Sequence, residues 1–134
     1  MSLFVRDVMS RGVVTCNLDS PISEIADRLC KAKATAIVVV DAMGEVAGII
    51  SRTDLARVFT GSSRGERAED IMTLDVATII PDIPVRAAVE LMLDRRIHQL
   101  VILHTRPAPV RPVGMLSLDD IVRLMAEPGV RDLP

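Results

Sequence analysis

The chain has 134 residues, of which 49% are hydrophobic, and its formal net charge is −2. A chain of this length is expected to form one compact domain. Charges of both signs are interspersed, and the only aromatic residues are two phenylalanines. The sequence therefore lacks both the basic footprint and the stacking platforms that nucleic-acid-binding proteins use, so nucleic-acid binding is disfavoured.

Apolar runs in this sequence are short, and the longest fall far below the roughly 18 residues that a membrane-spanning helix needs. The N-terminus carries no long apolar stretch typical of a signal peptide. We therefore expect a cytoplasmic protein with no membrane insertion. The two cysteines are expected to be reduced thiols, and the two histidines form no cluster with them, so we expect no metal site.

The first half of the chain predicts a series of five elements. A short strand at 13–16 leads to a helix whose first position is Pro21, followed by apolar residues at helical spacing. A fully apolar strand, Ala36–Val40, is typical of strands buried on both faces. A turn follows, then a strand over Glu45–Ile50, and a closing helix begins near Ser51.

The second half repeats this series. Asp7 and Asp70 lie 63 positions apart in matching sequences, and Asp54 and Asp120 lie 66 positions apart. The three extra residues fall within the proline-rich segment 104–112, which predicts a longer loop in the second copy. The repeats are placed at 4–60 and 68–126, with a linker at 61–67.

One unit of about 60 residues buries little surface on folding, so two copies gain by sharing a core. The predicted fold class is therefore α/β (α+β), with two tandem β-α-β-β-α repeats packed about a pseudo-two-fold axis. Each repeat has the pattern Ser-x-x-Asp where its last strand meets its last helix, at Ser51–Asp54 and Ser117–Asp120. This spacing is that of a helix capping box, and a helix N-terminus also attracts phosphate. Both interpretations stay open on the residues alone.

Both repeats resemble the cystathionine-β-synthase (CBS) domain, and together they resemble a CBS pair, or Bateman module. The resemblance covers about residues 4–126. In the first copy it rests on five groups of residues: Asp7-Val8-Met9, Thr15, Pro21-Ile22, Ile37-Val38-Val39-Val40-Asp41 and Gly48-Ile49-Ile50-Ser51-Arg52-Thr53-Asp54-Leu55.

The resemblance implies a regulatory function. CBS pairs typically bind adenosine-containing ligands (AMP, ADP, ATP or S-adenosylmethionine) in clefts between the two repeats, and they regulate an attached or partner protein. They commonly form homodimers, as a disc of four repeats. In the family the Ser or Thr contacts phosphate and the Asp binds the ribose hydroxyls.

Carried over to this sequence, the resemblance implies two clefts. The first combines one Ser-x-x-Asp element with strand-entry residues of the second repeat: Ser51, Thr53, Asp54, Ala77, Thr78, Ile97 and His98. The second combines the other element with strand-entry residues of the first repeat: Val14, Thr15, Thr35, Ala36, Ser117 and Asp120.

The two clefts are expected to differ in their preference for phosphate. The first contains His98, which matches a histidine that can reach phosphate in AMP-sensing members of the family. Gln99 follows it, where the strongest AMP sensors have Arg. The second has Asp119 where the first has Thr53, and a carboxylate repels phosphate. We therefore expect the first cleft to be the better phosphate site.

The sequence also bears on two other functions. No nucleophile elbow, P-loop or HExxH motif is present, so we expect no catalysis by this chain and no required cofactor. The serious alternative is a ligand-free dimerisation or interaction module, in which the Ser-x-x-Asp elements only cap helices.

Overall fold

The computed structural model describes residues 3–104 and 111–128. The described part of the chain contains six helices and seven strands. The helices are α1 (Val5–Val8), α2 (Ile22–Ala32), α3 (Arg52–Thr60), α4 (Ala68–Ile71), α5 (Val85–Arg95) and α6 (Leu118–Ala126). The strands are β1 (Ser10–Arg11), β2 (Thr15–Asn17), β3 (Ala36–Val40), β4 (Val46–Ser51), β5 (Thr78–Ile79), β6 (Gln99–Leu103) and β7 (Pro112–Ser117). The longer loop predicted in the second repeat falls mostly on 105–110, outside the described residues.

The predicted β-α-β-β-α order is present in both repeats, as β2-α2-β3-β4-α3 and as β5-α5-β6-β7-α6. The predicted mixed α/β fold class is thereby confirmed. One detail differs: Pro21 and Pro84 are N-cap residues with extended ψ angles of 154° and 140°, and each helix begins one residue later than predicted. The proline ring fixes φ in a range that suits both the N-cap position and the first helical position.

The described residues divide into two compact units. Unit 1 consists of residues 13–76 together with Arg111, and unit 2 consists of residues 3–12, 77–104 and 112–128. In unit 1 the sheet order is β2-β3-β4, with β2 parallel and β4 antiparallel to β3. In unit 2 the order is β1-β7-β6-β5, with β5 parallel and β7 antiparallel to β6.

Each unit has its own apolar core between its sheet and its helices. In unit 1 the core contains the buried residues Cys16, Ile25, Leu29, Ile37, Val39, Ile50, Ala68 and Ile71. In unit 2 it contains Val5, Ala88, Met92, Leu100, Ile102 and Leu116. The alternate side chains of β3 and β6 that enter these cores show the period of two expected for strands.

The compact units cross the boundaries of the sequence repeats. The α4 segment belongs to the second repeat, but Ala68 and Ile71 lie in the core of unit 1. The α1–β1 segment belongs to the first repeat, but Val5 is fully buried in unit 2 and β1 pairs with β7. Each unit is therefore completed by a short segment from the other repeat.

Glycines in β4 and β7 allow the segments from the other repeat to approach these strands closely. A Cβ on Gly114 would lie 2.5 Å from the backbone oxygen of Ser10, and a Cβ on Gly48 would lie 2.7 Å from Sδ of Met72. Real Cβ atoms do not come this close to other atoms. At Gly114 the obstacle is a backbone atom, so a larger residue there would push β1 away from β7. At Gly48 the nearest atom belongs to the end of the flexible Met72 side chain, and the backbone oxygen of Thr73 lies 3.0 Å away.

Candidate functional site

The first Ser-x-x-Asp element forms a capping box at the N-terminus of α3. The Ser51 side chain accepts a hydrogen bond from the Asp54 backbone N–H at 3.3 Å. The Asp54 Oδ2 atom accepts from the Ser51 backbone N–H at 2.8 Å and from its hydroxyl at 3.0 Å. The box satisfies amide groups that the helix leaves unpaired.

The second element forms the same box at the N-terminus of α6. Ser117 accepts from the Asp120 backbone N–H at 3.2 Å, and Asp120 Oδ2 accepts from the Ser117 backbone N–H at 2.8 Å. The capping interpretation of both elements is therefore correct. It leaves the second oxygen of each carboxylate, Oδ1, as the atom available to a ligand.

The two Oδ1 atoms differ in how fully they are engaged. Asp120 Oδ1 accepts a hydrogen bond from the Arg123 guanidinium at 2.9 Å. Asp54 Oδ1 lies 3.8 Å from the Arg57 guanidinium, which is too long for a hydrogen bond. Both side chains are largely enclosed, with exposed fractions of 13% for Asp54 and 10% for Asp120. Asp54 therefore has the freer acceptor oxygen.

In unit 1 the strand directions bring the predicted site residues of the first repeat to one edge of the sheet. Ala36 pairs with Ser51, and the Val38 backbone N–H donates to the Val14 carbonyl at 3.0 Å. The starts of β2 and β3 and the end of β4 thus lie together. We call this the first edge; its predicted ligand-binding residues are Val14, Thr15, Thr35, Ala36, Ser51, Thr53 and Asp54.

Unit 2 has an equivalent arrangement. Gln99 pairs with Ser117, the His98 carbonyl accepts from the Leu118 N–H at 2.9 Å, and the Ala77 carbonyl accepts from the Val101 N–H at 3.0 Å. We call this the second edge; its predicted ligand-binding residues are Ala77, Thr78, Ile97, His98, Ser117 and Asp120.

The structure thus groups the predicted residues by repeat. Each predicted cleft takes one half from the first edge and one half from the second, so its halves belong to different compact units. Within each half the residues lie on neighbouring strands or next to the strand ends. The combination of the halves into two clefts stays a prediction.

The charges at the two edges differ. At the first edge Arg52 is exposed, and its guanidinium donates to the Ala34 carbonyl at 3.3 Å, which holds a cation beside the α3 N-terminus. At the second edge the equivalent residue is Leu118, the next residue is the exposed Asp119, and His98 is exposed beside them. When only the side chains of each edge are considered, the first edge is therefore the more favourable place for an anion to bind.

Arg28 is a residue that the sequence analysis missed. Its guanidinium donates to the Thr15 carbonyl at 2.6 Å and pairs with Glu24 at 2.7 Å. It therefore fixes the start of β2 at the first edge. The Glu24–Arg28 spacing of four residues could have indicated a helical ion pair, but the sequence does not show that the arginine reaches a strand.

Cys16 is the one described group with a resolved pKa shift. Burial raises the pKa of this thiol to about 11, and the opposing effect of the nearby Arg28 charge is smaller. A thiol that stays protonated in this way is inert as a nucleophile at neutral pH. The described residues contain no cluster of three or more His, Cys, Asp or Glu side chains that could hold a metal ion.

In residues 3–104 and 111–128, no helix has the length and apolar character needed to cross a membrane.

Comparison with known proteins identifies the family. The family model described as CBS domain matches residues 5–61 and again residues 68–127. The chain belongs to the CBS domain family. As a CBS pair it is similar to a crystal structure of the CBS domain pair of protein MJ0100 in complex with 5′-methylthioadenosine and S-adenosyl-L-methionine. The TM-score is 0.84 at 28% sequence identity, over 93% of this chain and 97% of that one.

Two curated relatives are longer than this CBS pair. Protein MK0525 of Methanopyrus kandleri is 30% identical over 128 residues, which is 92% of this chain and 63% of the relative. The homoserine O-acetyltransferase of Methanohalobium evestigatum is 27% identical over 124 residues, which is 92% of this chain and 24% of that enzyme. The chain thus spans less than two thirds of either relative.

Proposed function

We propose that this CBS pair is a regulatory module that binds an adenosine-containing ligand between its two repeats and transmits the binding to a partner protein or domain. The observation that carries the proposal is the similarity to the CBS pair of MJ0100, whose crystal structure contains two adenosine derivatives. The chain itself is not catalytic and requires no cofactor. The regulated protein is unidentified, and the module acts in the cytoplasm.

The two edges support the proposal through their chemistry. Each presents a carboxylate, held in place by a capping box, that keeps one oxygen available for a ribose hydroxyl. Backbone groups at the strand starts can recognise the adenine edge, and aliphatic side chains such as Val14 and Ile97 can cover its faces. Neither compound bound by MJ0100 carries a phosphate, which suits an edge bearing Asp119.

The proposed sites are the two clefts implied by the family resemblance. One joins Ser51, Thr53 and Asp54 to Ala77, Thr78, Ile97 and His98. The other joins Ser117 and Asp120 to Val14, Thr15, Thr35 and Ala36. The module is proposed to be a homodimer.

Thermal unfolding of the pure protein tests the proposal. It is measured with AMP, ADP, ATP, S-adenosylmethionine and 5′-methylthioadenosine, each at high concentration. A ligand at about 100 times its Kd adds about 2.7 kcal/mol to the free energy of unfolding. For a domain of this size the Tm should rise by several degrees. Adenine-free controls such as ribose 5-phosphate should leave it unchanged.

A Tm that stays constant with every adenosine compound would contradict ligand binding. The alternative, a ligand-free dimerisation module, would then be the better description. The two capping boxes would serve only to begin α3 and α6.

A further inference from the structure

Each unit has an outward-facing backbone carbonyl at the start of its edge strand, which is β2 in unit 1 and β5 in unit 2. The carbonyls of Val14 and Ala77 each accept a backbone N–H of the neighbouring strand at 3.0 Å. Successive carbonyls of an extended strand point to opposite sides, so those of Thr15 and Thr78 point away from their sheets. Each is a backbone acceptor on the free side of its edge.

In unit 1 this acceptor is already engaged by a side chain. The Arg28 Nη1 atom donates to the Thr15 carbonyl oxygen at 2.6 Å, and its Nη2 atom donates to Glu24 Oε1 at 2.7 Å. The ion pair with Glu24, one turn away on α2, holds the guanidinium in place. The Thr15 oxygen keeps a second lone pair, but any further donor that uses it approaches a fixed positive charge.

In unit 2 the equivalent positions carry no such pair. Leu91 and Ala87 on α5 stand where α2 has Arg28 and Glu24. Leu91 packs against the core of unit 2, and neither side chain has a donor for the Thr78 carbonyl. The two repeats therefore present the same backbone acceptor in two different states.

We propose that Arg28 is a specificity-determining residue for the base of a bound purine nucleoside. The proposal rests on the proposed function, in which a nucleoside base meets the backbone at the strand starts. At the second edge the Thr78 carbonyl accepts from the exocyclic amino group of adenine. The exocyclic carbonyl of hypoxanthine is itself an acceptor, and two acceptors that face each other repel, so the second edge selects adenine.

The first edge has the opposite chemistry. A guanidinium carries five N–H donors, of which Arg28 uses one for Thr15 and one for Glu24 in the contacts described above. A further N–H can donate to the exocyclic carbonyl of hypoxanthine or guanine. The first edge therefore tolerates bases that the second edge rejects.

Isothermal titration with adenosine and inosine tests this difference. Neither nucleoside has a phosphate, so the unequal charges of the two edges do not enter the comparison. Asp120→Ala disables one proposed cleft and leaves the one that contains Thr78, whereas Asp54→Ala leaves the one that contains Thr15. We expect a preference for adenosine of about tenfold in Asp120→Ala and of no more than about threefold in Asp54→Ala.

Arg28→Leu places the residue of the second repeat in the first. Added to Asp54→Ala, it should raise the preference for adenosine to about tenfold, while Arg28→Lys keeps a donor for the Thr15 carbonyl and should keep the low preference. Lys31→Leu is the matched control, because Lys31 lies on the same helix, pairs with Asp27 at 3.0 Å and is 77% exposed. A loosened β2 would weaken both nucleosides alike and leave the preference unchanged.

The role of Arg28 is contradicted if Arg28→Leu leaves the preference at the value of Asp54→Ala, or if Lys31→Leu raises it equally. Binding of adenosine by Asp120→Ala, but of neither nucleoside by Asp54→Ala, would show that the first edge holds no base and would also overturn the proposal. Failure of the proposed function is seen separately, as a wild-type Tm that no adenosine compound raises. In that case this inference is lost with it.

Discussion

Asp54 and Asp120 hold equivalent positions in the two repeats, yet their surroundings differ. Each uses Oδ2 to complete a capping box. The remaining oxygen of Asp120 is bonded to Arg123, whereas that of Asp54 has no hydrogen bond from Arg57. A further donor would share Oδ1 of Asp120 with Arg123, whereas at Asp54 it would find Oδ1 without a hydrogen bond from Arg57.

We therefore expect Asp54→Ala to weaken nucleotide binding far more than Asp120→Ala. The two variants are matched controls for each other, since each loses one capping box, worth about 1 kcal/mol of stability. Isothermal titration of both with the ligand that raises the Tm checks the ranking. Equal losses of affinity would contradict it.

His98 and its repeat counterpart Thr35 provide a second matched pair at the residue scale. His98 is exposed at the second edge, and a ring N–H of its imidazole can donate a hydrogen bond to phosphate. We expect His98→Ala to lower the affinity for AMP more than that for 5′-methylthioadenosine, with Thr35→Ala affecting both alike. If His98→Ala changed both affinities equally, a role toward phosphate would be excluded.

Cys16 gives a prediction about stability at high pH. Its thiol keeps its proton in the folded protein until about pH 11, against an ordinary pKa of 9.0. Between these values the unfolded chain binds fewer protons than the folded one, so stability falls as pH rises. The loss is on the order of 2 to 3 kcal/mol for a shift of this size.

Urea unfolding of the wild type and of Cys16→Ala measures this effect. The stability advantage of the wild type should be largest below about pH 8 and should shrink as the pH approaches 11. An advantage that stayed constant over that range would show that the thiol has no raised pKa.

At the scale of elements, pairing of β1 with β7 depends on the absence of a side chain at position 114. A methyl group there would lie 2.5 Å from the Ser10 carbonyl oxygen, so the strands would have to separate. We expect Gly114→Ala to cost about 1–3 kcal/mol, the range found for overpacked sites. Thermal or urea unfolding checks this value.

Arg11→Ala is the control for that variant. Arg11 is the β1 residue that pairs with Gly114, and its side chain is exposed. Its removal should change stability by no more than about 0.5 kcal/mol. A Gly114→Ala protein as stable as this control would mean that the β1–β7 contact is looser than the structure indicates.

The elements also show what could be predicted from the sequence. Strand β3 and residues 100–103 of β6 are continuous apolar runs, and the turn after β3 is closed by Asp41, so these features follow from local patterns. The short segments α1–β1 and α4 could not be assigned to a unit. Repeat similarity shows that Asp7 and Asp70 are equivalent, but not which copy each segment packs against.

The site was predictable to a similar degree. The capping boxes follow from the spacing of Ser51 and Asp54, because a helix N-terminus demands that geometry. The spacing does not predict that the two carboxylates differ in their availability to a ligand, because this depends on whether Arg57 or Arg123 reaches the carboxylate. Such distances arise from side-chain conformations that no spacing rule specifies.

At the scale of the whole molecule, the repeat and the compact unit are different objects. Residues 13–76 are the continuous part of unit 1 and include Ala68 and Ile71 of its core, whereas a fragment cut at the repeat boundary loses both. We expect a fragment of 13–76 to keep more helical circular dichroism and a sharper urea transition than a fragment of 1–64, which has the same length. Equal behaviour would show that α4 contributes little to the core.

Because each unit includes a segment of the other repeat, the order of synthesis limits when each unit can form. Of the described residues of unit 1, all but Arg111 have been made once residue 76 has left the ribosome, and domains commonly fold in this sequential way. The β1 strand is made earlier, yet its partners Gly114 and Met115 are made much later. Ser10 and Arg11 therefore cannot pair with their sheet until β7 has been made.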